Sequence, residues 1–193
     1  MEEPGCSGTT APLPTRLWAS VLVITLSSLL IGWAVEQLNA LTGDPTQPGA
    51  LVLNTFEVSL ATTMLYVTSL PAALLTKTPM ERWGRRAVVL GADLFFIAGG
   101  ALTASDARHP PLLIYVGRGL IGIGVGTSLT VVPTLLSEIA PPSHRGRIGF
   151  VHTVMMTTGL VVCALVSLVF VDGKLPGGWR AANASFALPA LVQ

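Results

Sequence analysis

The chain has 193 residues, 51% of them hydrophobic and only 11% charged, with a mean hydropathy of +0.67. Soluble domains carry about 25% charged residues, so the supply of charge is too small to cover a wholly water-facing surface. A formal net charge of +1 also argues against nucleic acid as a partner, because phosphate neutralisation needs a clustered excess of Lys and Arg.

Residues 1–16 form a polar tail. A membrane-crossing helix needs about 20 predominantly apolar residues, and the apolar runs predict such helices over residues 17–40, 51–75, 87–104, 112–136 and 148–171. A sixth run, 179–193, is shorter than a crossing requires and is expected to be a truncated sixth helix. The first run is too long for the apolar region of a signal peptide and is expected to be retained. The segments between the runs are rich in Pro, Gly and Asp, which favour solvated turns. The reading is an all-α membrane bundle over residues 17–193 in a lipid bilayer.

Orientation follows from the basic residues in short loops. "KTPMERWGRR" carries Lys77, Arg82, Arg85 and Arg86, and "SEIAPPSHRGR" carries Arg145 and Arg147. The opposite loops hold only Arg108, Lys174 and Arg180. The two basic loops and the 1–16 tail are therefore expected in the cytoplasm, giving an integral, multi-pass protein.

The fourth run contains G-R-G-L-I-G, Gly117 to Gly122, which satisfies the dinucleotide fingerprint. That fingerprint functions at a strand-to-helix turn between alternating strands and helices, and here it sits inside a long apolar run. Gly122 and Gly126 instead form a G-x-x-x-G pair that, with Gly119, gives a smooth face for close helix packing. Arg118 lies about 9 Å inside the run at 1.5 Å per residue, where a charge must pair or snorkel. Glu57, at a similar depth in the second run, is a candidate partner. Pro133 is expected to bend or loosen the end of the fourth run. Asp93, in the third run, is expected to face the bundle. Asn183-Ala-Ser185 fits a glycosylation sequon, but its place in the sixth run argues against use. Cys6 and Cys163 show neither a disulfide framework nor a metal spacing. No acid–base pair, activated nucleophile, metal cluster or cofactor motif supports an enzyme.

"ERWGRR", "GRGLIGIGVGTSLTVVPTLLSEIAPPSHRGRIG" and "FALPALVQ" resemble the sugar porters of the major facilitator superfamily, and within them the facilitative glucose transporters. The resemblance runs from the first helix onward and implies the N-terminal six-helix half of a twelve-helix fold, the C-terminal half missing, with a small sugar held between the halves. It places Glu81, Arg85, Arg86, Glu138 and Arg145 in a charge network that latches the halves together, and it puts Thr153 and Thr157 on the substrate path. Trp33 is a further candidate for that path, and Arg118 is the candidate for bundle electrostatics.

The departures from the family pattern carry chemistry too. Ala34 stands where proton-coupled members carry an acid, and a methyl cannot take up a proton. Thr153 stands at the family's sugar-binding Gln and offers shorter reach and fewer hydrogen bonds. A Thr pair in a membrane helix also back-bonds to its own helix. Lys77 replaces a glycine of the loop motif, and Pro79 intrudes beside it. The resulting expectation is alternating-access transport of a hexose, related sugar or polyol, facilitative at the Ala34 position. The alternative is a truncated fragment that does not transport, or a regulatory partner of a full-length carrier.

Overall fold

The computed structural model describes residues 15–41, 53–105, 112–172, 178–186, 189–190 and 193. Those residues are almost wholly helical: α1 Thr15–Leu41, α2 Thr55–Leu75, α3 Lys77–Trp83, α4 Arg85–Ser105, α5 Leu112–Ile139, α6 Arg145–Ser167 and α7 Gly178–Ser185. A 3-10 turn, Pro142–His144, leads into α6, and a π-helical turn, Leu168–Asp172, follows it. Five of these helices are long and apolar enough to cross a membrane. The residues 1–14 of the polar tail lie outside the described residues.

Helix α5 is the organising element. It packs against α2 on one side and α4 on another and also meets α1, while α6 lies along α1. In lipid, helices gain no hydrophobic drive toward one another, so association rests on close van der Waals packing. A methyl on Gly122 would overlap the carbonyl of Leu65 and the hydroxyl of Thr68, and one on Gly126 would overlap the carbonyl of Ser69. These two glycines let α2 approach α5. Gly119 differs: a methyl there meets Thr68 at an ordinary 3.6 Å. Its contribution is its carbonyl, which accepts a hydrogen bond from Thr68 Oγ1 at 2.9 Å.

Two further contacts repeat the device. Gly32 and Gly159 face the partner backbone where α1 crosses α6, and Gly99 and Gly117 do the same where α4 crosses α5. The apolar core lies in these crossings. At its centre Phe186 meets Trp33 edge-on, with ring centroids 6.2 Å apart, and Phe96 at 5.8 Å.

Residues 112–139 form one continuous helix that includes Pro133, and the glycine fingerprint has no strand before it, as expected. Two elements differ from the expectation. The basic loop after α2 contains α3: Pro79 falls in its first turn, where the missing N–H is one of the unpaired groups anyway. Gly84, at φ 84°, ends α3 in a conformation that side chains resist. The sixth run is not one helix to Gln193: among the described residues α7 ends at Ser185, Phe186 is a turn and residues 189–190 are helical again.

Candidate functional site

Helices α2 and α6 bury little of their surface within the bundle. On α6, Thr153 and Thr157 are exposed and line a groove of about 410 Å³ with Phe150, Val154, Thr158 and Val161. The two threonines are four residues apart and share a face. Thr157 Oγ1 donates to the carbonyl of Thr153 at 3.1 Å, the back-bond such a hydroxyl favours, and keeps its oxygen lone pairs. Thr158 back-bonds to Val154 in the same way at 2.8 Å. The groove thus combines apolar walls with hydroxyls able to accept hydrogen bonds. His152 points elsewhere, its Nδ1 lying 2.7 Å from Ser28 Oγ at the α1–α6 crossing.

Helix α2 carries a second polar row that the sequence reading missed. Ser59 and Thr63 are exposed and one turn apart, and each back-bonds to its own helix, at 2.9 and 2.7 Å. Hydroxyls at i and i+4 in an apolar run were the available signal. Trp33 lies apart from these rows. It is 5% exposed and packed against Phe186 inside the bundle.

Arg118 is 2% exposed, so it does not snorkel. Its Nη1 donates to the carbonyl of Ala34 at 2.9 Å and to Gln37 Oε1 at 3.4 Å. The amide of Gln37 in turn donates to Asn183 Oδ1, and Thr103 Oγ1 donates to the same oxygen at 3.3 Å. One polar chain therefore joins α5, α1, α7 and α4. The expected pairing with Glu57 does not form. Glu57 accepts instead from the backbone N–H of Asn54 at 2.8 Å, satisfying an unpaired donor at the start of α2. Asn183 is 3% exposed and occupied by this chain, which removes it from the surface a glycosylation sequon needs.

Among the charges at the basic end, the structure joins Arg85 to Glu138 at 2.8 Å, both side chains 43% exposed. This bridge ties the start of α4 to the end of α5. Glu81 instead faces Lys77 at 4.0 Å on its own short helix, both side chains largely exposed. Arg86 and Arg145 are exposed and make no salt bridge among the described residues. Cys163 is buried and free; Cys6 lies outside the described residues.

Comparison with known proteins places this arrangement. A family model described as "Sugar (and other) transporter" matches residues 20–193. Sugar transport protein MST7 of Oryza sativa subsp. japonica is 35% identical over 137 residues, covering 70% of this chain and 26% of the relative. H(+)/hexose cotransporter 1 of Parachlorella kessleri is 34% identical over 136 residues, covering 70% and 25%. The chain thus spans about a quarter of the length of these relatives. Among solved structures, the proton:xylose symporter XylE bound to 6-bromo-6-deoxy-D-glucose superimposes with a TM-score of 0.74 at 20% identity, over 92% of this chain and 43% of that one. The inward open xylose transporter XylE from E. coli gives 0.72 at 22%, over 91% and 46%. The fold is that of the N-terminal half of a major facilitator protein, an integral, multi-pass membrane bundle rather than an enzyme, and the chain belongs to the sugar (and other) transporter family.

Proposed function

We propose that this chain works as the N-terminal half of a carrier for a hexose or a related sugar or polyol, with alternating access between this half and a C-terminal six-helix half. The family match over residues 20–193 carries the reading. The exposed hydroxyl rows of α2 and α6 support it, because sugar recognition needs dispersed hydrogen-bonding groups on a surface that the other half covers. Thr153 and Thr157 contact the sugar. Trp33, buried inside the bundle, shapes the path indirectly by holding α1 against Phe186. Gly119, Gly122 and Gly126 keep α2 seated on α5 while the halves rock.

At the basic end, the Arg85–Glu138 bridge, with Glu81, Arg86 and Arg145 around it, forms the gate that faces the C-terminal half. Those loops face the cytoplasm, as does the N-terminus. Where proton-coupled relatives of this resemblance use an acid, Ala34 offers only its backbone carbonyl to Arg118, so sugar movement is facilitative at that position.

Labelled hexose uptake into vesicles tests the reading. Vesicles holding this chain with a C-terminal half of the family should show saturable uptake that runs down the sugar gradient without a pH gradient. Vesicles holding the chain alone should show none. Absence of uptake in both would favour the second reading, a fragment that does not transport or that regulates full-length carriers; the quarter-length coverage of the relatives is what keeps that reading in view.

A further inference from the structure

We propose that Asp93 and Ser27, together with Gln193, form a monovalent-cation site inside the bundle, which takes up one positive charge as a proton or a sodium ion. Asp93 on α4 is 3% exposed and Ser27 on α1 is fully buried. The Gln193 amide N–H donates to Ser27 Oγ at 2.8 Å, and the one hydroxyl proton of Ser27 is shared between Gln193 Oε1 at 3.0 Å and Asp93 Oδ1 at 3.4 Å. The other carboxyl oxygen, Oδ2, is shut off from solvent with no hydrogen-bond partner among the described residues. A buried carboxylate held by one long hydrogen bond is electrostatically incomplete, and membrane surroundings make that expensive. A bound cation or proton completes it.

The neighbouring charges do not supply the missing partner. On α4 itself, Arg85 is committed to Glu138 of α5. Arg86 is exposed and lines a cavity of about 390 Å³ with Ser20, Val89, Leu90, Leu135 and Gln193, and it sits seven residues, about 10 Å, from Asp93 along the helix. On α5, Arg118 is bound to Ala34 and Gln37. On α1, Glu36 lies nine residues from Ser27, about 13 Å along the helix. On α6, His152 is engaged with Ser28.

The cavity beside Arg86 reaches the site only through Gln193, for Asp93 and Ser27 do not line it. Gln193 lines it and also touches Ser27, and Val89 lies one turn before Asp93 on the same face of α4. The oxygens that could hold the charge are the Asp93 carboxylate, the Ser27 hydroxyl and the amide oxygen of Gln193, which accepts from Ser27 Oγ at 3.0 Å and keeps a second lone pair. They are hard oxygens with a single negative charge. A divalent ion needs about six oxygens and usually more than one carboxylate, so a monovalent charge fits. Occupancy would clamp α1 to α4, which otherwise touch sparsely. The site goes beyond the transport reading and does not rest on it.

The test is infrared spectroscopy of the whole chain in lipid vesicles at neutral pH, comparing wild type with Asp93→Asn and Ser27→Ala. In sodium-free buffer, wild type should show a carboxylic-acid C=O band that Asp93→Asn removes and Ser27→Ala shifts. Sodium chloride, but not choline chloride, should discharge the band if sodium is the natural occupant; a band indifferent to both assigns the proton. Labelling of the wild type with an apolar carbodiimide, read by peptide mapping, keeps the test independent of how the variants fold. Modification should fall on Asp93 in sodium-free buffer. Absence of both an Asp93-dependent band and modification at Asp93 in sodium-free buffer would overturn the site. No step of this experiment requires sugar transport, so its failure is distinguishable from failure of the transport reading.

Discussion

Arg118 shows how a buried cation is accommodated here without an acid. Its guanidinium rests on a backbone carbonyl and on Gln37, and Gln37 in turn rests on Asn183. Hydrogen bonds to a charged group are worth about 1.5–3 kcal/mol, so Gln37→Leu should lower stability by about 2 kcal/mol and loosen α7 as well, read as a lower melting temperature in detergent. Gln37→Glu, which supplies a carboxylate at the same reach, should cost less than Gln37→Leu. Asn183 belongs to the same chain, and expression in glycosylating cells should add no glycan there, checked by an unchanged mobility after glycosidase treatment. The depth of Arg118 in an apolar run required it to pair or to snorkel, and depth alone did not choose between them. Its partners were not legible, because Gln37 and Asn183 are far apart in sequence and only the helix crossings bring them together. The proposed Glu57 partner failed for a local reason, since Glu57 caps the start of its own helix, accepting from the Asn54 N–H.

Helix packing follows the small residues. Gly122 and Gly126 face backbone carbonyls of α2 that cannot rotate aside, whereas Gly119 faces the end of a threonine side chain. Gly126→Val should therefore separate α2 from α5 and cost more than the about 1–3 kcal/mol usual for overpacking, seen as loss of folded, monodisperse protein. Gly119→Ala should be tolerated, with a melting temperature close to wild type. The G-x-x-x-G pair was readable because its spacing repeats on one helix face. The Gly32–Gly159 and Gly99–Gly117 contacts were not, because each pairs single glycines on different helices and spacing within one helix carries no trace of them. Likewise α3 was hidden inside a loop reading: Pro79 and Gly84 read as turn signals, yet both suit the first turn and the end of a short helix.

The bundle as a whole has one basic end, where α3, the start of α4 and the start of α6 gather Arg82, Arg85, Arg86, Arg145 and Arg147. The five crossings were legible because length and hydropathy are properties of single segments. Which helix lies beside which was not, because that depends on contacts between segments. The Arg85–Glu138 bridge holds this end together, but both partners are 43% exposed. Water screens such a pair, so a double-mutant cycle with Arg85→Gln and Glu138→Gln should give a coupling of about 0.2–1 kcal/mol in the isolated half. In a full carrier the same pair sits in the gate we propose, and its effect should fall on kinetics rather than on stability. With the C-terminal half present, Glu138→Gln should change the rate of saturable sugar uptake while leaving the melting temperature nearly unchanged. A fall in melting temperature of the full carrier that matched the loss of uptake would instead make the bridge a structural tie.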